Sequence, residues 1–160
     1  MDALWSAFHA SAPALYVRES VWAYPALETI HVLGLGLVVG SILAFDLRLL
    51  GWHRELPVAS LGRHLLPWVW TGFLLNAASG ALLFASDAVE FAANASFRVK
   101  MVLIVLAGLN ALWFQARVAP GMAAWNLTVP PPAGARLAAL VSITLWVAIV
   151  TAGRMMAYIK

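Results

Sequence analysis

Apolar residues in this chain gather into four long runs that contain no Asp, Glu, Lys or Arg: 29–45, 65–86, 101–116 and 137–153. Polar and turn-forming residues are confined to the segments between them. With its flanks, each run reaches about 20 residues, enough at ~1.5 Å per residue to cross a ~30 Å hydrocarbon layer as a helix. The pattern predicts transmembrane helices at about 22–50, 64–86, 97–118 and 135–158. The connections carry breakers: Gly51 and Pro57 in the first, Asp87 to Ser96 in the second, and Pro120-Gly121 and Pro130-Pro131-Pro132 in the third.

Ahead of these runs, Leu4, Trp5, Phe8, Ala12, Leu15 and Tyr16 fall on one helical face. This predicts an interfacial amphipathic helix over about 2–20, restarting at Pro13 after a Ser11 cap. Met1-Asp2 lacks the positive start of a signal peptide, and Pro13 and Arg18-Glu19 break the stretch after it, so the segment is expected to be retained. The fold class is all-α: a four-helix transmembrane bundle with an N-terminal interfacial helix, a single integral membrane domain over 1–160.

Composition makes lipid the solvent. The chain is 63% hydrophobic and 11% charged, with a mean hydropathy of +0.87; a soluble domain is about one quarter charged. The absence of cysteine excludes disulfides and thiolate metal sites. The net charge of +3 comes from scattered Lys and Arg, which suit membrane flanks and give no reason to expect nucleic acid. Trp22, Trp52, Trp68, Trp70 and Trp113 lie near predicted helix ends, as an aromatic belt requires, whereas Trp146 is mid-helix and needs a packing or ligand explanation. Basic residues divide evenly. Arg18, Arg98, Lys100, Arg154 and Lys160 lie on the side of the termini, and Arg48, Arg54, Arg63, Arg117 and Arg136 on the other. Discounting Lys100 and Arg154 as partly intramembrane places the termini outside the cytoplasm. The expected location is a bacterial inner membrane.

The candidate chemistry lies in the first long helix. Glu28 and His31 are one turn apart in an otherwise apolar stretch, and ionisable groups there are costly unless they have partners or a purpose. Lys100 opens the third helix and Arg154 closes the fourth. Rise per residue puts all four within roughly 5–14 Å of one membrane surface. Two cations favour an anionic ligand, such as haem propionates, quinone carbonyls or a lipid headgroup. Snorkelling of Lys100 and Arg154, with Glu28 pairing to one of them, is the competing explanation.

His31 is the best single metal ligand. Its face carries Tyr24, Leu27, Gly34, Val38 and Ser41, and Gly34 would leave room for a flat ring. His53 and His64 belong to the other membrane side and cannot share an iron with His31. Second ligands would come from Lys100, Met101, Met155 or Met156. Gly36, Gly40 and Ala44 form a small-residue stripe suited to a tight helix contact within the bundle or in a homodimer. Asp46-Leu47-Arg48 reads as a local ion-paired cap, and Asn76, Ser79 and Asn110 as interhelical hydrogen-bonding groups. No hydrolytic motif is present.

Through Tyr24-Pro25 with Glu28 and His31, Asp46 to Gly51, Leu66-Pro67-Trp68, Lys100, Ala107 to Asn110, and Ala152-Gly153-Arg154 near Tyr158, the chain resembles an uncharacterised family of bacterial four-helix membrane proteins. More distantly, it is similar to HemJ-type protoporphyrinogen oxidases and CopD-like membrane proteins. Their first helix also reads histidine, small residues and a closing Leu-Arg-Leu, here His31, Gly34, Gly40 and Leu47-Arg48-Leu49. The HemJ type has a lysine opening its third helix, matched by Lys100; Asp46 stands where that family has proline. This resemblance implies a haem-associated role for His31 and Lys100. The leading expectation is a b-type haem-binding, redox-active membrane protein with an unknown redox partner. His31 would be an axial ligand, with Lys100 and Arg154 on the propionates and Glu28 orienting the imidazole. The alternatives are a copper-binding or transport module using His31 and methionines, and an accessory subunit without chemistry.

Overall fold

The computed structural model describes residues 2–127 and 129–158; Lys160 of the topology argument lies outside them. Four helices are long and apolar enough to cross a bilayer: α3 (Ala23–Leu49), α4 (Val58–Ser86), α6 (Ala95–Arg117) and α7 (Ala133–Met155). The short helices are α1 (Asp2–His9), α2 (Ala12–Glu19) and α5 (Ala88–Ala93), and a 3-10 helix (Ala119–Trp125) joins α6 to α7. The chain is an all-α four-helix bundle whose four apolar helices fit an integral membrane protein. Its outer surface is apolar: Leu33, Leu74, Leu112 and Val147 are all more than 60% exposed. Water would penalise such a surface heavily, whereas lipid does not.

The predicted N-terminal helix is two helices. Ser11 Oγ donates to the Phe8 carbonyl at 2.7 Å, so it closes α1 and leaves α2 without a side-chain cap. Arg18 then ties both short helices to α4, donating to the carbonyls of His9 at 2.8 Å and Ser86 at 2.9 Å. Helix α4 begins two turns before the predicted start. Arg63 and His64 end the apolar run but not the helix. Pro57 stands at the cap, and Asn126 caps from a distance, its Oδ1 accepting from the Ala59 N–H at 3.0 Å and its carbonyl from Val58 at 3.2 Å.

Packing runs in the order α4, α3, α7, α6. Helices α3 and α4 meet at a glycine crossing. A Cβ on Gly72 would stand 2.7 Å from the Gly34 carbonyl oxygen, and one on Gly34 would stand 2.9 Å from the Gly72 carbonyl oxygen. Gly34 therefore brings α4 close and leaves no room for a flat ring there. No Cα of α4 approaches one of α6 within 8 Å. The two helices meet at one end through the stacked rings of Phe84 and Phe97, 5.1 Å between centroids, with Phe91 and Trp5 against them. At the other end the 3-10 helix touches both.

That second end holds the apolar core of Leu49, Val58, Phe114, Val118, Trp125, Ala135, Ala138 and Ala139. Arg48, 2% exposed, locks it from inside. Its Nε donates to the Leu56 carbonyl at 2.7 Å, and one terminal nitrogen donates to the carbonyls of Asn126 at 3.0 Å and Arg54 at 3.2 Å. This corrects the expected Asp46–Arg48 ion pair. Asp46 lies beside Ser142 on α7, while the guanidinium reaches carbonyls in two loops. The two residues are two apart, and positions two apart on a helix do not face each other. Gly36, Gly40 and Ala44 are exposed, with nothing within 4 Å of a Cβ built on either glycine, so their stripe has no partner inside the bundle.

Candidate functional site

His31 sits on the half-buried stripe of α3 with Tyr24, Leu27, Gly34, Val38 and Ser41. This stripe faces the interior because its members recur at helical spacing. The ring crosses to α4, where Nδ1 lies 3.1 Å from Ser79 Oγ. The Ser79 hydroxyl has one proton and directs it at the Leu75 carbonyl, 2.6 Å away. With the Ser79 proton on the Leu75 carbonyl, the 3.1 Å contact is assigned as Nδ1–H donating to Ser79 Oγ, the neutral tautomer that leaves the lone pair on Nε2. Nε2 has no hydrogen-bond partner among the described residues. A Cβ on Gly80 would stand 3.0 Å from His31 Cε1, so the glycine lets the imidazole rest on the α4 backbone. Asn76 Nδ2 donates to the His31 carbonyl at 2.7 Å and fixes the helix segment that carries the ring.

Lys100 comes from the first turns of α6. Its aliphatic stem and ammonium lie against α7, 3.5–3.7 Å from where a Cβ on Gly153 would stand. It is near enough to His31 for its charge to reach the imidazole. Neither ion pair nor hydrogen bond engages its ammonium among the described residues. All four long helices thus contribute: α3 with His31, α4 with Ser79 and Gly80, α6 with Lys100 and α7 with Gly153.

Other residues expected at this site stand apart from His31 and Lys100. Glu28 is exposed and shares an electrostatic neighbourhood with Tyr24, which Asp87 also joins. Arg154 is exposed and turns onto Tyr158, donating to its hydroxyl at 3.0 Å, with the guanidinium 5.4 Å from the ring centroid. Neither pairs with the other or with Lys100, so ion pairing of Glu28 does not account for the cluster. Met101 and Met155 are exposed, and Met156 is partly buried. His53 is bonded to Glu55 at 2.9 Å in the loop after α3, and His64 is exposed on α4. His9 is bound to Arg18, its Nδ1 3.1 Å from the guanidinium.

Sequence reasoning named Ser79 and Asn76 only as helix-linking groups. Their service to His31 was hidden because the α3–α4 register depends on the Gly34–Gly72 crossing. Gly80 went unnoticed, although a glycine four residues after Asn76 marks a close approach on that face. The chain matches no protein-family model, no curated protein and no solved structure.

Proposed function

We propose that this integral membrane protein binds a b-type haem through His31 Nε2, with Lys100 beside it. The carrying observation is the hydrogen-bond chain from His31 Nδ1 through Ser79 to the Leu75 carbonyl, which leaves Nε2 basic and unpartnered. A hydrogen bond on the far nitrogen of a ligating histidine fixes its tautomer and raises its basicity. No group of three His, Cys, Asp or Glu that could hold a metal gathers among the described residues. A donor set of one imidazole suits a porphyrin, which brings four nitrogens of its own. A bare copper ion would need methionines that are largely turned outward. Haem bound here would supply one-electron chemistry. The chain's own part is to hold the axial nitrogen, to present the Lys100 ammonium to an anionic edge, and to exclude water with apolar helices. The distant similarity to HemJ-type proteins, which implies haem-associated roles for His31 and Lys100, agrees with this. The proposed setting is a bacterial inner membrane, with both termini on the non-cytoplasmic side.

A structural role is the second reading, and the Asn76 and Ser79 bonds favour it because they join α3 to α4 at His31. Absorption spectroscopy separates the two. Protein purified from haem-replete cells is expected to show a Soret band that disappears in His31→Ala and shifts in Ser79→Ala, with both variants folded. A colourless protein carrying stoichiometric copper would replace haem with the copper reading. Colourless, metal-free protein that still folds as His31→Ala would leave only the structural one.

A further inference from the structure

A second site lies at the other end of α3 and shares no group with the surroundings of His31. Asp46 is 5% exposed, and one oxygen of its carboxyl has no hydrogen-bond partner. Ser142 on α7 stands beside the carboxyl, and no ion pair reaches it among the described residues. Arg48, the obvious counter-ion, directs Nε and one terminal nitrogen to the carbonyls of Leu56, Arg54 and Asn126, and its other terminal nitrogen, buried and unpartnered, makes no ion pair with Asp46. Asp46 ends a largely apolar groove of about 230 Å³ between α3 and α7, bounded by Val39, Leu43, Ile143, Trp146, Val147 and Thr151. Leu43 is 40% and Val147 62% exposed on the outer, lipid-facing surface, so the groove opens sideways into the bilayer. Mid-helix Trp146 forms part of the groove wall.

We infer that this groove binds a lipid-dissolved organic cation. A buried carboxyl at membrane depth with no cation partner is costly, and the cost falls when a cation arrives. An indole in the groove wall offers the best aromatic face for a cation. The apolar walls take the hydrophobic substituents, and the opening to lipid admits a molecule that has already partitioned into the membrane.

The test uses tetraphenylphosphonium and the full chain in detergent micelles, with binding measured by equilibrium dialysis. Wild-type protein is expected to bind it saturably, one per chain. Asp46→Asn keeps the shape and is expected to weaken binding by about tenfold or more, as loss of a close charge contact in a low-dielectric site requires. Val147→Trp fills the groove while leaving the carboxyl in place and is expected to block binding; it serves where Asp46→Asn fails to fold. Absence of saturable binding to wild type, or undiminished binding by either folded variant, overturns the inference. So does tighter, Asp46-dependent binding of a neutral short-chain quinone, which would reassign the groove to a hydrogen-bond acceptor. A Soret band lost in His31→Ala has no bearing on these outcomes.

Discussion

The two ends of the bundle treat their buried cations in opposite ways. At the Arg48 end, Nε and one terminal nitrogen of the guanidinium reach three carbonyls, its other terminal nitrogen is buried without a partner, and the apolar core closes around it. At the His31 end, Lys100 lies between helices without a hydrogen bond or ion pair among the described residues, and Nε2 of the imidazole has no partner there. A membrane protein gains nothing in stability from an unpaired ammonium at this depth. The contrast teaches that ionisable residues in apolar helices divide into those that tie loops to the fold and those without a partner inside the bundle.

Breaking the Arg48 end is expected to have the largest effect. Arg48→Ala removes a buried charge-assisted network joining the loop after α3 to Asn126, and should cost about 3 kcal/mol or more. Arg48→Lys should recover only part of this, since an ammonium lacks the planar fork that reaches several carbonyls. Denaturant titration in micelles measures both.

Gly72→Val comes next. Its Cβ would meet the Gly34 backbone oxygen at 2.7 Å, so α3 and α4 must separate, at about 2–3 kcal/mol. Separation would also move Ser79 away from His31. On the proposed haem reading, the variant should lose the Soret band along with stability, whereas Arg48→Ala should spare that band at temperatures where it remains folded.

At the His31 end the sign reverses. Lys100→Met removes an unpaired, half-buried ammonium and is expected to raise stability by about 1 kcal/mol in the cofactor-free protein and, on the proposed haem reading, to weaken haem retention. A fall in stability would mean that Lys100 has a structural partner, and the contrast between the ends would fail. Gly40→Leu has the smallest expected effect on the fold, within about 0.5 kcal/mol, because nothing lies within 4 Å of its Cβ. Its readout is the chain's mass in micelles. If Gly36, Gly40 and Ala44 form a homodimer face, the leucine splits it; an unchanged mass excludes that face as an interface.

The sequence by itself determined the number of long helices, their approximate spans and the lipid-facing character of the surface. These come from hydropathy and from the length needed to cross a bilayer, both local properties of the chain. It also placed His31 on the inward stripe, because helical spacing alone sorts residues into faces. Partners across helices were a different matter. Depth arithmetic gathered Glu28, His31, Lys100 and Arg154 at one level, but depth says nothing about rotation around a helix axis. Only the packed structure turned Glu28 outward and Arg154 onto Tyr158, and brought Lys100 to Gly153. In the same way it separated Asp46 from Arg48, sending one to α7 and the other to the loops. Rotation is set by where backbones approach most closely, here at Gly34 and Gly72, and those contacts join residues distant in the chain.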